Sequence, residues 1–173
     1  KLKQISMCPF DALATAVSTF ASQNYGAGKI VRIKEGIIKG TLIGISYGLF
    51  IGLVLIFFGR TLSCIFIRAN ETAVLDASAF FLRCAGMFFW SLGILNVCRL
   101  TTQGLGFSAW AIFSGVTEMV ARIIVSVFFV PKYSFVAISF ADQAAWISAC
   151  LYIVPVLMLC IKRISRGKDL VQA

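Results

Sequence analysis

Glu118 and Arg122 stand four residues apart in an otherwise apolar run from Trp110 to Val130. At helical spacing they share a face, with the acid on the N-terminal side, the favourable order for such a pair. Counted from Trp110, Glu118 lies ~12 Å along a helix that rises ~1.5 Å per residue, near the middle of a ~30 Å hydrocarbon core. A charge at that depth costs about 2.5–3.5 kcal/mol on insertion scales. Both are therefore expected to point into a bundle, paired with each other or with another helix. Two roles fit them. One is a structural pair that fixes helix rotation. The other is cation or proton handling by Glu118, with Arg122 influencing its ionisation. Asp11 and Asp142 are further acids in apolar segments. They suit substrate or cation contact, structural hydrogen bonding, or a place nearer the outer interface.

Other chemistry finds little support. The sequence has no histidine and no phosphate-binding loop. Its six cysteines, Cys8, Cys64, Cys84, Cys98, Cys150 and Cys160, include no C-x-x-C pair, and most sit in apolar runs. They read as packing residues, not as a zinc site or a disulfide framework. The expectation is no enzyme, no metal and no cofactor. An ATP-driven pump would need a nucleotide-binding domain, so these features favour a secondary transporter.

Apolar helices must position these charges. Of 173 residues, 60% are hydrophobic and 13% charged, against roughly 25% charged in a soluble domain. Most surfaces must then face lipid or other helices, and the +9 net charge reflects membrane orientation and not nucleic-acid binding. Five spans are expected: Ile5–Tyr25, Ile37–Phe58, Ala77–Gly104, Trp110–Val130 closed by Pro131, and Phe135–Ile161. Arg60–Asp76 reads as a loop. Gly36, Gly40, Gly44, Gly48 and Gly52 recur every fourth residue, giving a face of bare backbone that lets another helix approach closely. Lys29, Arg32, Lys34 and Lys39 follow the first span, and Lys162, Arg163, Arg166 and Lys168 follow the last; only Arg60, Arg68 and Lys132 fall clearly on the other side. The positive-inside rule puts the first two groups in the cytoplasm. Residues 1–161 are thus expected to form a bundle, and 162–173 a basic cytoplasmic tail.

One stretch carries more specific information. From Ala14 to Lys29 the chain reads ATAVSTFASQNYGAGK, an apolar helix that reaches an interface. Gln23 and Asn24 suit water and headgroups, Tyr25 is an interfacial anchor, and Gly26 and Gly28 end the helix. This stretch resembles the end of the eighth transmembrane helix in the multidrug and toxic compound extrusion (MATE) family. The resemblance continues through Arg99–Gly106 (RLTTQGLG), Gly115–Glu118 with Arg122, and Ala141–Ile147 (ADQAAWI). It covers nearly the whole chain and is closest to the DinF-like bacterial branch.

The resemblance implies an all-α, polytopic bundle of about five helices within a twelve-helix fold, and so a C-terminal fragment of a longer gene product. It implies part of a multidrug efflux antiporter in the inner (plasma) membrane, exchanging organic, often cationic, compounds for protons or sodium. Its partners would be membrane lipids, a missing N-terminal bundle and small organic substrates, not nucleic acid. Asp11, Glu118, Arg122 and Asp142 become candidates for the substrate or cation pathway. Gln23, Asn24, Arg99 and Gln103 become candidates for a cytoplasmic gate or helix ends, with Arg99 near enough to a span end to snorkel. The sodium-coupled branch carries an acid in its tenth helix, where this chain has Ser91 or an apolar neighbour. Alternatives are a lipid-linked oligosaccharide flippase or polysaccharide exporter of the same superfamily, and a non-transporting membrane scaffold.

Overall fold

The computed structural model describes residues 1–65 and 71–169, and every regular element among them is helical. The helices are α1 (Leu2–Gly26), α2 (Ile30–Ser63), α3 (Thr72–Gly104), α4 (Ser108–Ile124) and α5 (Val130–Asp169), with a π-helical turn at Val125–Phe129 joining the last two. Arg68, the side chain of Lys168 and residues 170–173 of the expected tail lie outside the described residues.

Three stretches are long and apolar enough to cross a membrane: Ile30–Ser63, Thr72–Gly104 and Ser108–Arg166. The last reverses direction at Ser134 (φ 47°, ψ −122°), so it makes two antiparallel legs. Arg122 of the first leg meets Asp142 of the second, and Trp110 lies with Val156 and Cys160. α1 has 25 residues, enough for a span, but it carries Lys3, Gln4 and Asp11 and is less apolar.

Several boundaries differ from the expected ones. The basic stretch after α1 is helical from Ile30, because Lys, Arg and Glu are good helix formers. Only Ala27–Lys29 is left as a turn, where Gly28 takes φ 76° and Lys29 N–H donates to the Asn24 carbonyl at 2.8 Å. The expected loop Arg60–Asp76 loses both ends: α2 runs to Ser63 and α3 starts at Thr72. Arg60 Nε and Asp76 Oδ1 pair across it at 3.1 Å. Pro131 does not close the fourth span. Proline lacks an N–H and its ring crowds the carbonyl four residues back, here Val127, which lies inside the wider π turn. The break comes three residues later, at Ser134. The expected tail stays helical to Asp169.

The bundle is built around α3, which touches every other helix. α2 runs antiparallel to it, and the glycine face makes the contact. A Cβ on Gly48 would sit 2.7 Å from Trp90 Cα and 2.8 Å from the Phe89 carbonyl oxygen, and one on Gly44 would sit 3.2 Å from Gly93 Cα. Gly52 meets the Gly86 carbonyl in the same way. Where lipid tails are as apolar as the side chains, such close backbone packing drives association. The other end of the same face, Gly36 and Gly40, receives Phe20 and Val17 of α1. α1 runs parallel to α3: Ser18 and Ser22 donate to the Leu100 and Gly104 carbonyls, at 2.7 and 2.8 Å. Phe10, Phe89 and Trp146, from three helices, form the aromatic centre with centroids 5.9 and 5.8 Å apart. Cys84, Cys98 and Cys160 are buried, whereas Cys8 and Cys64 are exposed.

Candidate functional site

Five charged side chains from four helices form a continuous chain of ion pairs. At its centre is Glu118, whose side chain is only 12% exposed. One carboxylate oxygen pairs with Arg99 Nη2 of α3, and the other lies 3.5 Å from Arg122 Nη2 one turn along α4. Arg122 Nε then reaches Asp142 Oδ1 of α5 at 3.2 Å, and Asp142 Oδ2 pairs with Lys3 Nζ of α1.

Local structure fixes each member. Arg99 uses the fork of its guanidinium: Nε donates to Ser114 Oγ at 2.8 Å while Nη2 turns to Glu118. The Ser114 hydroxyl is buried and donates to the Ala111 carbonyl at 2.7 Å, one turn back on α4. Two helices are thereby held at one guanidinium, a geometry that a lysine would not reproduce. Lys3 is held over Trp146 and Phe81, 5.3 and 5.5 Å from the ring centroids, where the ring faces attract the ammonium.

The chain crosses much of the bundle in depth. Arg99 is five residues from the end of α3 and Lys3 is at the start of α1, and these parallel helices place the two residues toward opposite ends. Successive charges alternate as Arg99 (+), Glu118 (−), Arg122 (+), Asp142 (−) and Lys3 (+), leaving one surplus cation. Such a ladder can exchange partners: a cation or proton arriving at Glu118 or Asp142 competes with an arginine already there. Beside Asp142, Gln143 is 1% exposed and neither of its amide atoms has a partner among the described residues. An unpaired buried amide costs about 1–3 kcal/mol, so a polar ligand reaching it would gain a ready partner.

Of the expected pathway residues, Glu118, Arg122 and Asp142 come together and Asp11 does not. Asp11 is exposed on α1 and accepts a hydrogen bond from Asn96 Nδ2 at 3.0 Å. Arg99 departs from the expected snorkelling position because Glu118 faces it across the α3–α4 interface. Gln23 and Gln103 are exposed at helix ends, while Asn24 is buried and donates to the Phe20 carbonyl at 2.8 Å. Lys3 was not anticipated. Its signal in the sequence is weak, a terminal lysine with no acid at helical spacing, because its partner is 139 residues away.

A family model described as MatE matches residues 2–128. No curated protein and no solved structure matches the chain.

Proposed function

Because this chain belongs to the MatE family of membrane efflux transporters, we propose that it works as part of a secondary active antiporter. It exports organic, often cationic, compounds in exchange for protons or sodium. The observation that carries this reading is the placement of Glu118 between Arg99 and Arg122. Intramembrane charges of this kind mark ion and substrate routes by default. Glu118 and Asp142 serve as the exchangeable anions, and the two arginines occupy them when no cation is bound. Arg99 closes the route toward the basic end, near Gln103 and the Asn24 turn.

Rocking-bundle transport requires two bundles around one cavity, so this helix bundle pairs with a second one. The cations Lys29, Arg32, Lys34 and Lys39 gather at the same end as Lys162, Arg163 and Arg166. This supports an inner (plasma) membrane orientation with that end, and the C-terminus, in the cytoplasm. The DinF-like branch and the status of C-terminal part of a longer transporter belong to the same proposal.

The surplus cation of the ladder favours a second reading. Three cations against two acids also suit an anionic cargo, as in a lipid-linked oligosaccharide flippase or polysaccharide exporter of the superfamily. Transport by the assembled two-bundle protein in membrane vesicles separates the two. Antiport is expected to extrude a cationic dye only while a proton or sodium gradient is imposed. Dye export that persists after both gradients are collapsed would contradict it, and so would transport of an anionic glycolipid with none of the dye.

A further inference from the structure

On the side of α3 away from the ion pairs, α2 and α5 diverge and leave an open groove of about 640 Å³. Its floor is Ile94 and Cys98, one turn apart on α3. Cys98 and Arg99 differ by ~100° around the helix axis, so the groove and the ladder use different faces of α3. Leu42 and Met158 form part of the walls, and both remain more than half exposed, at 57% and 66%. Its polar groups are Thr41 part-way along the trough, and Lys34 of α2 with Lys162 and Ser165 of α5; among the described residues no acid lines it. Lys34 is near the start of α2 and Lys162 near the end of α5, so the two ammonium groups stand at the same end of the bundle.

An apolar trough that runs toward mid-bundle from a mouth carrying two lysines and a hydroxyl matches an amphiphile with a hydrocarbon tail and an anionic head. The surrounding bilayer supplies that chemistry directly. A packed apolar helix would fill the trough but would cover two lysines with which no carboxylate of the described lining pairs. We propose that this groove is a binding site for an anionic phospholipid, with its acyl chain along Ile94 and Cys98 and its phosphate between Lys34 and Lys162. The lipid fills the space between α2 and α5 and ties together two helices that otherwise barely touch. This site depends on the chain residing in a membrane and not on the transport reading above.

The test is native mass spectrometry of the detergent-solubilised protein titrated with phosphatidylglycerol or phosphatidylcholine. Wild type is expected to bind phosphatidylglycerol preferentially. Replacing Lys34→Ala and Lys162→Ala together should weaken phosphatidylglycerol at least about tenfold, since each basic group near a charged headgroup is worth about 1 kcal/mol, and leave phosphatidylcholine unchanged. Lys34→Arg with Lys162→Arg should retain the preference, which separates loss of charge from loss of folding. Arg32→Ala with Lys39→Ala removes two exposed cations of α2 outside the groove and should change little. Equal binding of both lipids by wild type would overturn the proposal. So would full phosphatidylglycerol affinity in the Lys34/Lys162 alanine variant, or complete displacement of the lipid by inorganic phosphate alone.

Discussion

The guanidinium of Arg122 bridges two acids on different helices, with Nε 3.2 Å from Asp142 Oδ1 on α5 and Nη2 3.5 Å from Glu118 Oε2 on its own helix. Its side chain is 45% exposed, whereas that of Glu118 is 12% exposed. The arginine therefore has more room to move than the acid, which is enclosed between Arg99 and Arg122. That asymmetry makes Glu118 the fixed point of the ladder and Arg122 its movable member.

Arg99 is the inner anchor of Glu118. Arg99→Met is expected to lower stability in detergent by about 2–3 kcal/mol, less than the ~3–5 kcal/mol for breaking a fully buried pair, because Arg122 stays within reach. Adding Glu118→Met should recover most of that loss. A double-mutant cycle on thermal melting measures the coupling; additive losses would mean that the two side chains do not interact.

Gly48 and Gly115 should respond oppositely to alanine. A Cβ at Gly48 meets the backbone of Phe89 and Trp90 within 2.9 Å, whereas one at Gly115 meets nothing within 4 Å. Gly48→Ala forces α2 and α3 apart and should reduce the folded, monodisperse yield, with Gly48→Leu worse. Gly115→Ala should stabilise α4 by up to ~1 kcal/mol. Size-exclusion profiles and melting curves of the variants check both directions.

Ser134 takes φ 47° and ψ −122°, a conformation that costs an L-residue about 1–3 kcal/mol and glycine little. Ser134→Gly should raise the melting temperature, and Ser134→Val should lower it more strongly. A melting temperature that falls in the glycine variant would show that the turn is not strained there.

The parts of this molecule that were legible in the sequence depend on local periodicity. The glycine repeat from Gly36 to Gly52 marked a contact face, and α2 does present it to α1 and α3. The pairing of Glu118 with Arg122 was legible because four residues is one helical turn. Arg99 and Lys3 were not, because their partners Glu118 and Asp142 are brought to them by the order of helices around α3. No spacing along one helix encodes that order. The same limit applies to Pro131. A proline marks where a helix is weakened, but the π turn carries the helix past it and the break comes at Ser134, which no residue pattern along one helix distinguishes from the chain's other serines. Asp11 looked equivalent to Asp142 in composition, yet it faces outward beside Asn96 because Phe10 and Ala14 take the buried face of α1.

In the proposed antiport, Glu118 carries the exchange of cation for substrate. This role is tested most directly by ion-gradient-driven export of a cationic dye from proteoliposomes containing the assembled transporter, comparing wild type with Glu118→Gln at matched membrane insertion across a range of pH. The glutamine keeps the shape and one acceptor oxygen but cannot ionise, and its NH2 cannot accept from the second arginine. Export is expected to fall at least about tenfold, the effect of about 1.4 kcal/mol, and its dependence on pH to change. Wild-type export with the same pH profile would contradict the claim and leave Glu118 as a structural partner of Arg99.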